Sequence, residues 1–186
     1  MQYSVDELLK EQEYSKEEIR KATLVMHPND KKYNLSSDEI ANVFEEWSNL
    51  TLLENPIKVV ELDEQWNEEI LEYWCSEWYY MAQRVKSFVE KQIISFLSTW
   101  YWLAMKSRKL FDLDMDEWHR AEYMRNAIRE KFNNNPSLAK KLLATGDTEI
   151  IEYTYWRDML FWIDQNSLKG KNVLWKLLME YRENCK

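Results

Sequence analysis

The amino-acid sequence predicts an α+β domain, predominantly helical, with a few short strands. Two glycines in 186 residues leave few places for left-handed backbone, so most of the chain must lie in regular elements. Ser-x-x-Glu capping boxes recur, and each marks a helix start. Short β-prone runs, Ile57 to Val60 and Thr148 to Tyr155, interrupt the helical pattern.

The elements follow in order. Ser4-x-x-Glu7, Ser15-x-x-Glu18 and Ser36-x-x-Glu39 predict helices over 5–13, 16–26 and 37–47. His27-Pro28-Asn29-Asp30 separates the second from the third. Ile40, Val43, Phe44 and Trp47 give the third an apolar stripe. Pro56 then breaks helix, and Ile57-Lys58-Val59-Val60 reads as a strand. Residues 64–74 are acidic and ambiguous. A helical region follows over 76–107 with a break near 95–99. The next helix spans 114–132, opened by Asp114-x-x-Glu117, with Trp118, Ala121, Met124 and Ile128 at helical spacing. Asn135-Pro136 starts another, buried by Leu138, Leu142 and Leu143 and ended by a left-handed Gly146. Thr148 to Tyr155 is a strand, and Leu160 to Ile163 a second extended piece. The final helix follows Gly170-Lys171-Asn172, with Leu174, Leu177, Leu178 and Tyr181 on one face. The composition shift near residue 47 is the plausible boundary.

The composition narrows the function classes. A net charge of −8 argues against a nucleic-acid coat, because phosphate neutralisation needs a basic surface. Six acidic residues among the first twenty exclude a secretory signal, and the apolar stretch Ile93 to Met105 is too short and polar to span a bilayer. A cytoplasmic protein without a membrane partner is expected. Cys75 and Cys185 are expected to be free thiols. His27 and His119 lie far apart with no cysteine cluster, so neither a metal nor any other cofactor is expected. Ten tryptophans exceed what a helical core needs. They point to stacking on a planar ligand or to a homo-oligomer contact.

Four stretches could carry chemistry, and each has a plain structural reading as well. Trp47-Ser48-Asn49-Leu50 binds a ligand or caps a turn. Glu77 heads an aromatic helix and shares a face with Tyr80 and Arg84, or is an exposed helix-start acid. Leu142-Leu143-Ala144-Thr145-Gly146-Asp147 is a functional turn or a helix stop. Lys169-Gly170-Lys171-Asn172 joins two cations to a helix N-terminus, which makes an anion site or a solvated loop.

Taken in order, these pieces resemble the NADAR/YbiA-like family. The resemblance rests on Ser48-Asn49, on Ser76-Glu77-Trp78-Tyr79-Tyr80-Met81-Ala82-Gln83-Arg84, on Ser107-Arg108-Lys109 and on Trp118. It continues through Lys131-Phe132, Asn135-Pro136, Thr145-Gly146-Asp147, Ile151-Glu152 and Gly170-Lys171-Asn172 to Arg182. It implies residues 1–43 as an N-terminal helical extension and 44–186 as the NADAR/YbiA-like domain. It also implies binding of ADP-ribose or a phosphoribosyl nucleotide and hydrolysis of its N-glycosidic bond. Glu77 and Asp158 then fall where the family places acids. Tyr79, Trp118 or Trp162 then stacks on a base, and Arg84 and Lys171 hold phosphates. Ser48, Asn49, Trp78, Arg108, Asp147 and Asn172 complete the implied ligand contacts. The chain departs from the family pattern in four places. Trp78 replaces a histidine and Arg84 a lysine. Phe161-Trp162-Ile163-Asp164 replaces Trp-Gly-x-Gly, and Trp175 replaces a glycine. Those departures keep two alternatives open. One is a non-catalytic sponge for an NAD-derived signalling nucleotide, as a phage anti-defence protein would be. The other is a ligand-free helical interaction protein.

Overall fold

A computed structural model describes residues 2–25, 43–44, 52–98, 108–154, 159–164 and 166–185. The chain divides into two compact units. One is Met1–Ser48 with Ala139–Lys186, and the other is Asn49–Leu138.

In the second unit β4 (Ile57–Leu62) and β5 (Glu68–Tyr73) form an antiparallel hairpin, with Val59 opposite Leu71 and Val60 opposite Ile70. The acidic, ambiguous stretch therefore supplies a strand, because its alternating positions Leu71 and Tyr73 bury one face. Helix α3 (Ser76–Gln83) packs on β5, on α4 (Phe88–Leu97) and on α5 (Glu117–Asn134). The expected long helix over 76–107 breaks earlier than the sequence suggests, at Arg84 to Ser87 rather than at 95–99. The Arg84 side chain leaves the helix axis there to meet the 114–115 loop, and Ser87 restarts the chain as the cap of α4. Asp116, not Asp114, caps α5, through a bond from the His119 N–H at 3.0 Å. Ile57, Tyr73, Trp78, Met81, Ile94, Met124, Ile128 and Phe132 fill the core of this unit.

The first unit opens with α1 (Val5–Leu8), β1 (Gln12–Glu13), α2 (Lys16–Lys21) and β2 (Thr23–Val25). Both helices carry the expected capping boxes, Ser4 with Glu7 and Ser15 with Glu18. Both are shorter than the sequence predicts. Each is cut off by a strand pairing: β1 lies antiparallel to β8 (Lys169–Gly170), and β2 lies parallel to β6 (Ile150–Thr154). Val43 and Phe44 form β3, parallel to β2, instead of lying in a helix over 37–47. The remainder of that helix, with its Ser36 box, lies outside the described residues. The sheet order is β3-β2-β6-β7, with β7 at Ile163–Asp164. Helix α6 (Pro136–Leu143) ends as expected before Gly146, whose φ is 63°. Leu142 is buried, whereas Leu143 is exposed. The last helix, α7 (Val173–Asn184), packs on β6 and buries Leu174, Leu177 and Leu178. No helix among the described residues is long and apolar enough to cross a membrane.

Candidate active site

Glu77 sits in the first turn of α3, the end where free N–H groups favour a carboxylate. Its neighbours Cys75, Ser76 and Trp78 are buried, and Glu77 itself is half-buried. The helix head is thus anchored on both sides of the acid. Tyr80 and Arg84 follow on the same face, as the spacing predicts. The Arg84 guanidinium carbon lies 5.1 Å from the centre of the Tyr80 ring. Tyr80 is 2% exposed, and its hydroxyl accepts a bond from Arg120 Nε at 3.0 Å. Burial pushes the phenol up, Arg120 and Arg84 pull it down, and the nearby Glu77 charge adds a small upward push.

Arg84 is 4% exposed. It donates from Nε to the Asp114 carbonyl at 2.8 Å, while the Asp114 N–H donates to the Arg84 carbonyl at 2.9 Å. This side chain therefore fixes the 114–115 loop to the end of α3. Gln83 ties α3 to α5, donating to the Tyr123 carbonyl at 2.9 Å and accepting from Asn126 Nδ2 at 3.1 Å. Trp78 is fully enclosed, so the residue standing where the family has histidine belongs to the core. Tyr79 packs on Tyr73, ring centres 5.4 Å apart. Trp118 is 49% exposed at the head of α5. It stands edge-on to His119, whose Nδ1 lies 2.7 Å from the Asp114 carboxylate.

The second group of expected residues lies in the other unit. Gly170 is a strand residue pressed against the chain: a Cβ there would sit 2.1 Å from the Trp162 carbonyl oxygen. That close approach accounts for the glycine. Asn172 is fully buried in a left-handed conformation, φ 51°. Its Nδ2 donates to the Tyr14 hydroxyl at 3.2 Å and to the Ile150 carbonyl at 3.3 Å, and its Oδ1 has no hydrogen-bond partner. The Lys171 N–H donates to the Met159 carbonyl at 2.8 Å, and its side chain is half-buried. Asp147 is exposed in the turn after α6. Arg182 holds that turn, donating to Thr145 Oγ1 at 2.8 Å and to the Thr148 carbonyl at 2.9 Å. Arg182→Met is expected to cost about 2–4 kcal/mol, since a buried two-bond clamp is lost. Urea unfolding at neutral pH measures it.

The structure brings together Glu77, Tyr80 and Arg84 in one unit, and Trp162, Lys171 and Asn172 on one short stretch of the other. Ser48, Asn49 and Asp158 lie outside the described residues, as does the side chain of Arg108. Arg120 and Tyr14 escaped the sequence reading, and Gln83 entered it only within a motif, because each gains its role from a partner far along the chain. Asn135 immediately precedes α6, as the sequence predicts, and its side chain holds a distant loop as well. It accepts from the Asn55 N–H at 2.9 Å and donates to the Asn55 and Lys131 carbonyls.

Two buried amines colour the electrostatics. Burial pulls the Lys131 ammonium down to about 8, against an opposing pull from Cys75, and burial pulls Lys176 down to about 8. Burial pushes the Cys75 thiol up to about 12. A lysine with a lowered folded pKa is charged more readily in the unfolded chain. Stability therefore rises as pH climbs through 8, and above the unfolded thiol value of 9.0 Cys75 offsets part of that rise, because two lysines outweigh one thiol. The melting midpoint is expected to rise between about pH 7 and 9, and Lys131→Met is expected to flatten that slope. Calorimetric scans across the range check it.

Comparison with known proteins places the chain in a family. The NADAR domain model matches residues 33–186. The chain is 43% identical over 79 residues to the riboflavin biosynthesis protein VVA0006 of Vibrio vulnificus, a match covering 41% of this chain and 21% of that protein. It is 33% identical over 110 residues to the N-glycosidase YbiA of Shigella boydii, covering 58% of this chain and 68% of that one. The NMR structure of the E. coli protein YbiA superposes with a TM-score of 0.59 at 26% identity, covering 88% of this chain and 86% of that one. With its α+β fold and a family match over most of its length, the chain belongs to the NADAR domain family.

Proposed function

We propose that this protein hydrolyses the N-glycosidic bond of an ADP-ribose-like or phosphoribosyl nucleotide, with Glu77 as the catalytic carboxylate. The placement of Glu77 carries the reading: a rigidly anchored, partly open acid at a helix head, next to enclosed aromatic side chains. Cleaving a ribosyl C–N bond builds positive charge on the sugar ring, and a fixed carboxylate stabilises that charge. Water then attacks the anomeric carbon, the base leaves with the bonding electron pair and a proton, and a free ribosyl sugar remains. Relatives named N-glycosidase support the reaction class.

Trp78 favours a second reading. The position where the resemblance expects a histidine is filled by a core tryptophan, which suits a binder that sequesters its nucleotide unchanged. Incubation with ribosylated nucleobases and NAD-derived nucleotides, followed by chromatography, separates the two. Free base supports hydrolysis. A rise in melting temperature with the ligand recovered intact supports sequestration.

A further inference from the structure

The β4–β5 hairpin carries an outward surface that the glycosidase reading leaves unused. Val60 and Ile70 sit directly opposite each other on its outer face, 59% and 65% exposed, and Leu62 lies two residues along from Val60. Trp66 stands in the turn, 80% exposed, with a left-handed φ of 66°. That conformation is costly for a tryptophan, and the turn is bonded tightly enough to hold it. The Asp63 carboxylate accepts from the Gln65 and Asn67 N–H groups, each at 2.8 Å, and from Asn67 Nδ2 at 3.0 Å. The Trp66 N–H donates to the Asp63 carbonyl at 3.1 Å. A rigid turn thus holds an indole out in solvent, beside three exposed aliphatic side chains on one face. Apolar groups gathered in this way mark an interaction surface.

Charge selects the partner. From Leu62 to Glu72 the chain has five carboxylates, Asp63, Glu64, Glu68, Glu69 and Glu72, and no lysine or arginine; Glu72 forms an ion pair with Lys58 of β4 at 2.7 Å, so the acidic excess lies at the tip. Asp63 and Glu64 stand at the tip beside Trp66, and Glu68 shares the outer face with Ile70; Glu69 alternates to the opposite face, where with Asp63, Glu64, Phe88 and Val89 it lines a separate groove of about 250 Å³. Carboxylates at the rim of the apolar patch suit a cation on an aliphatic stem, its head against them and its stem on the patch. A second copy of this chain would set these carboxylates against their own kind, and an anionic membrane surface would be repelled. We propose that the hairpin is a docking surface for a basic, amphipathic polypeptide segment of another protein, with Trp66 and Ile70 as its apolar anchors. The proposal is independent of the catalytic reading.

Titration calorimetry of the full chain with a synthetic amphipathic peptide of leucine and lysine tests it. Saturable binding is expected. Trp66→Ser and Ile70→Ser are each expected to weaken it at least about tenfold, as is replacing the peptide's leucines by serine. Both sites are exposed, and far-UV circular dichroism verifies that the variants keep their fold. Equal binding by the variants, or by the serine peptide, overturns the proposal, because charge alone would then explain the association. Trp66-dependent dimers in sedimentation, or Trp66-dependent binding to anionic vesicles, with no peptide binding, also overturn it.

Discussion

Glu77→Gln is expected to lower base release about 100- to 1,000-fold, the range lost when one preorganised charge-stabilising group is removed from a site. The substitution is nearly isosteric. It gives up the carboxylate's interaction with the α3 helix end, which is worth about 0.3–1 kcal/mol at a partly exposed position. Cys75, Ser76 and Trp78 keep the helix head buried, so the fold is expected to survive. The loss should therefore fall on kcat, with KM little changed, because the carboxylate matters most when charge develops on the sugar. Steady-state kinetics with calorimetric unfolding of the same preparation checks both halves. If the chain is instead a sequestering protein, Glu77→Gln leaves nucleotide affinity nearly unchanged and no product appears with either form.

Gly170→Ala is expected to destabilise the chain by roughly 3–5 kcal/mol, among the largest effects of a single methyl group. A Cβ at this position would meet the Trp162 carbonyl oxygen at 2.1 Å and the Ile163 Cα at 3.0 Å. Both are backbone atoms that cannot rotate away. Relief requires β8 to part from its neighbours, and β8 also pairs with β1 through Gly170 and Gln12. The same methyl group at Gly146 would meet nothing within 4 Å, and the cost there comes only from the left-handed φ of 63°, about 1 kcal/mol. Parallel urea melts of the two alanine variants are expected to rank Gly170 well above Gly146.

These two glycines show what the sequence could reveal and what it could not. Gly146 followed a helical pattern and preceded a strand, so its local role as a helix stop was legible, and the structure bears it out. Gly170 stood beside two lysines and before a helix, which suggested an anion loop. Its strongest constraint is contact with Trp162, a partner that no local pattern announces. The helix starts at Ser4 and Ser15 were legible for the same reason that Gly146 was, since a capping box is complete within four residues. The helix ends were not, because strand pairing with distant β6 and β8 decides where α1 and α2 stop. At the candidate site, the shared face of Glu77, Tyr80 and Arg84 followed from helical periodicity. The family resemblance assigned Arg84 to phosphate, yet its guanidinium serves the Asp114 carbonyl and the Tyr80 ring. Charge can be read from a sequence; the group it meets depends on the fold.

Oxygen isotope labelling reaches the catalytic claim most directly. The protein is incubated with a ribosylated nucleobase in water enriched in oxygen-18, and the sugar product is weighed by mass spectrometry. Hydrolysis at the glycosidic carbon puts one labelled oxygen on the sugar and none on the base, and Glu77→Gln prevents its appearance. Substrate recovered whole and unlabelled after prolonged incubation would contradict the assignment of Glu77 as the catalytic acid of an N-glycosidase.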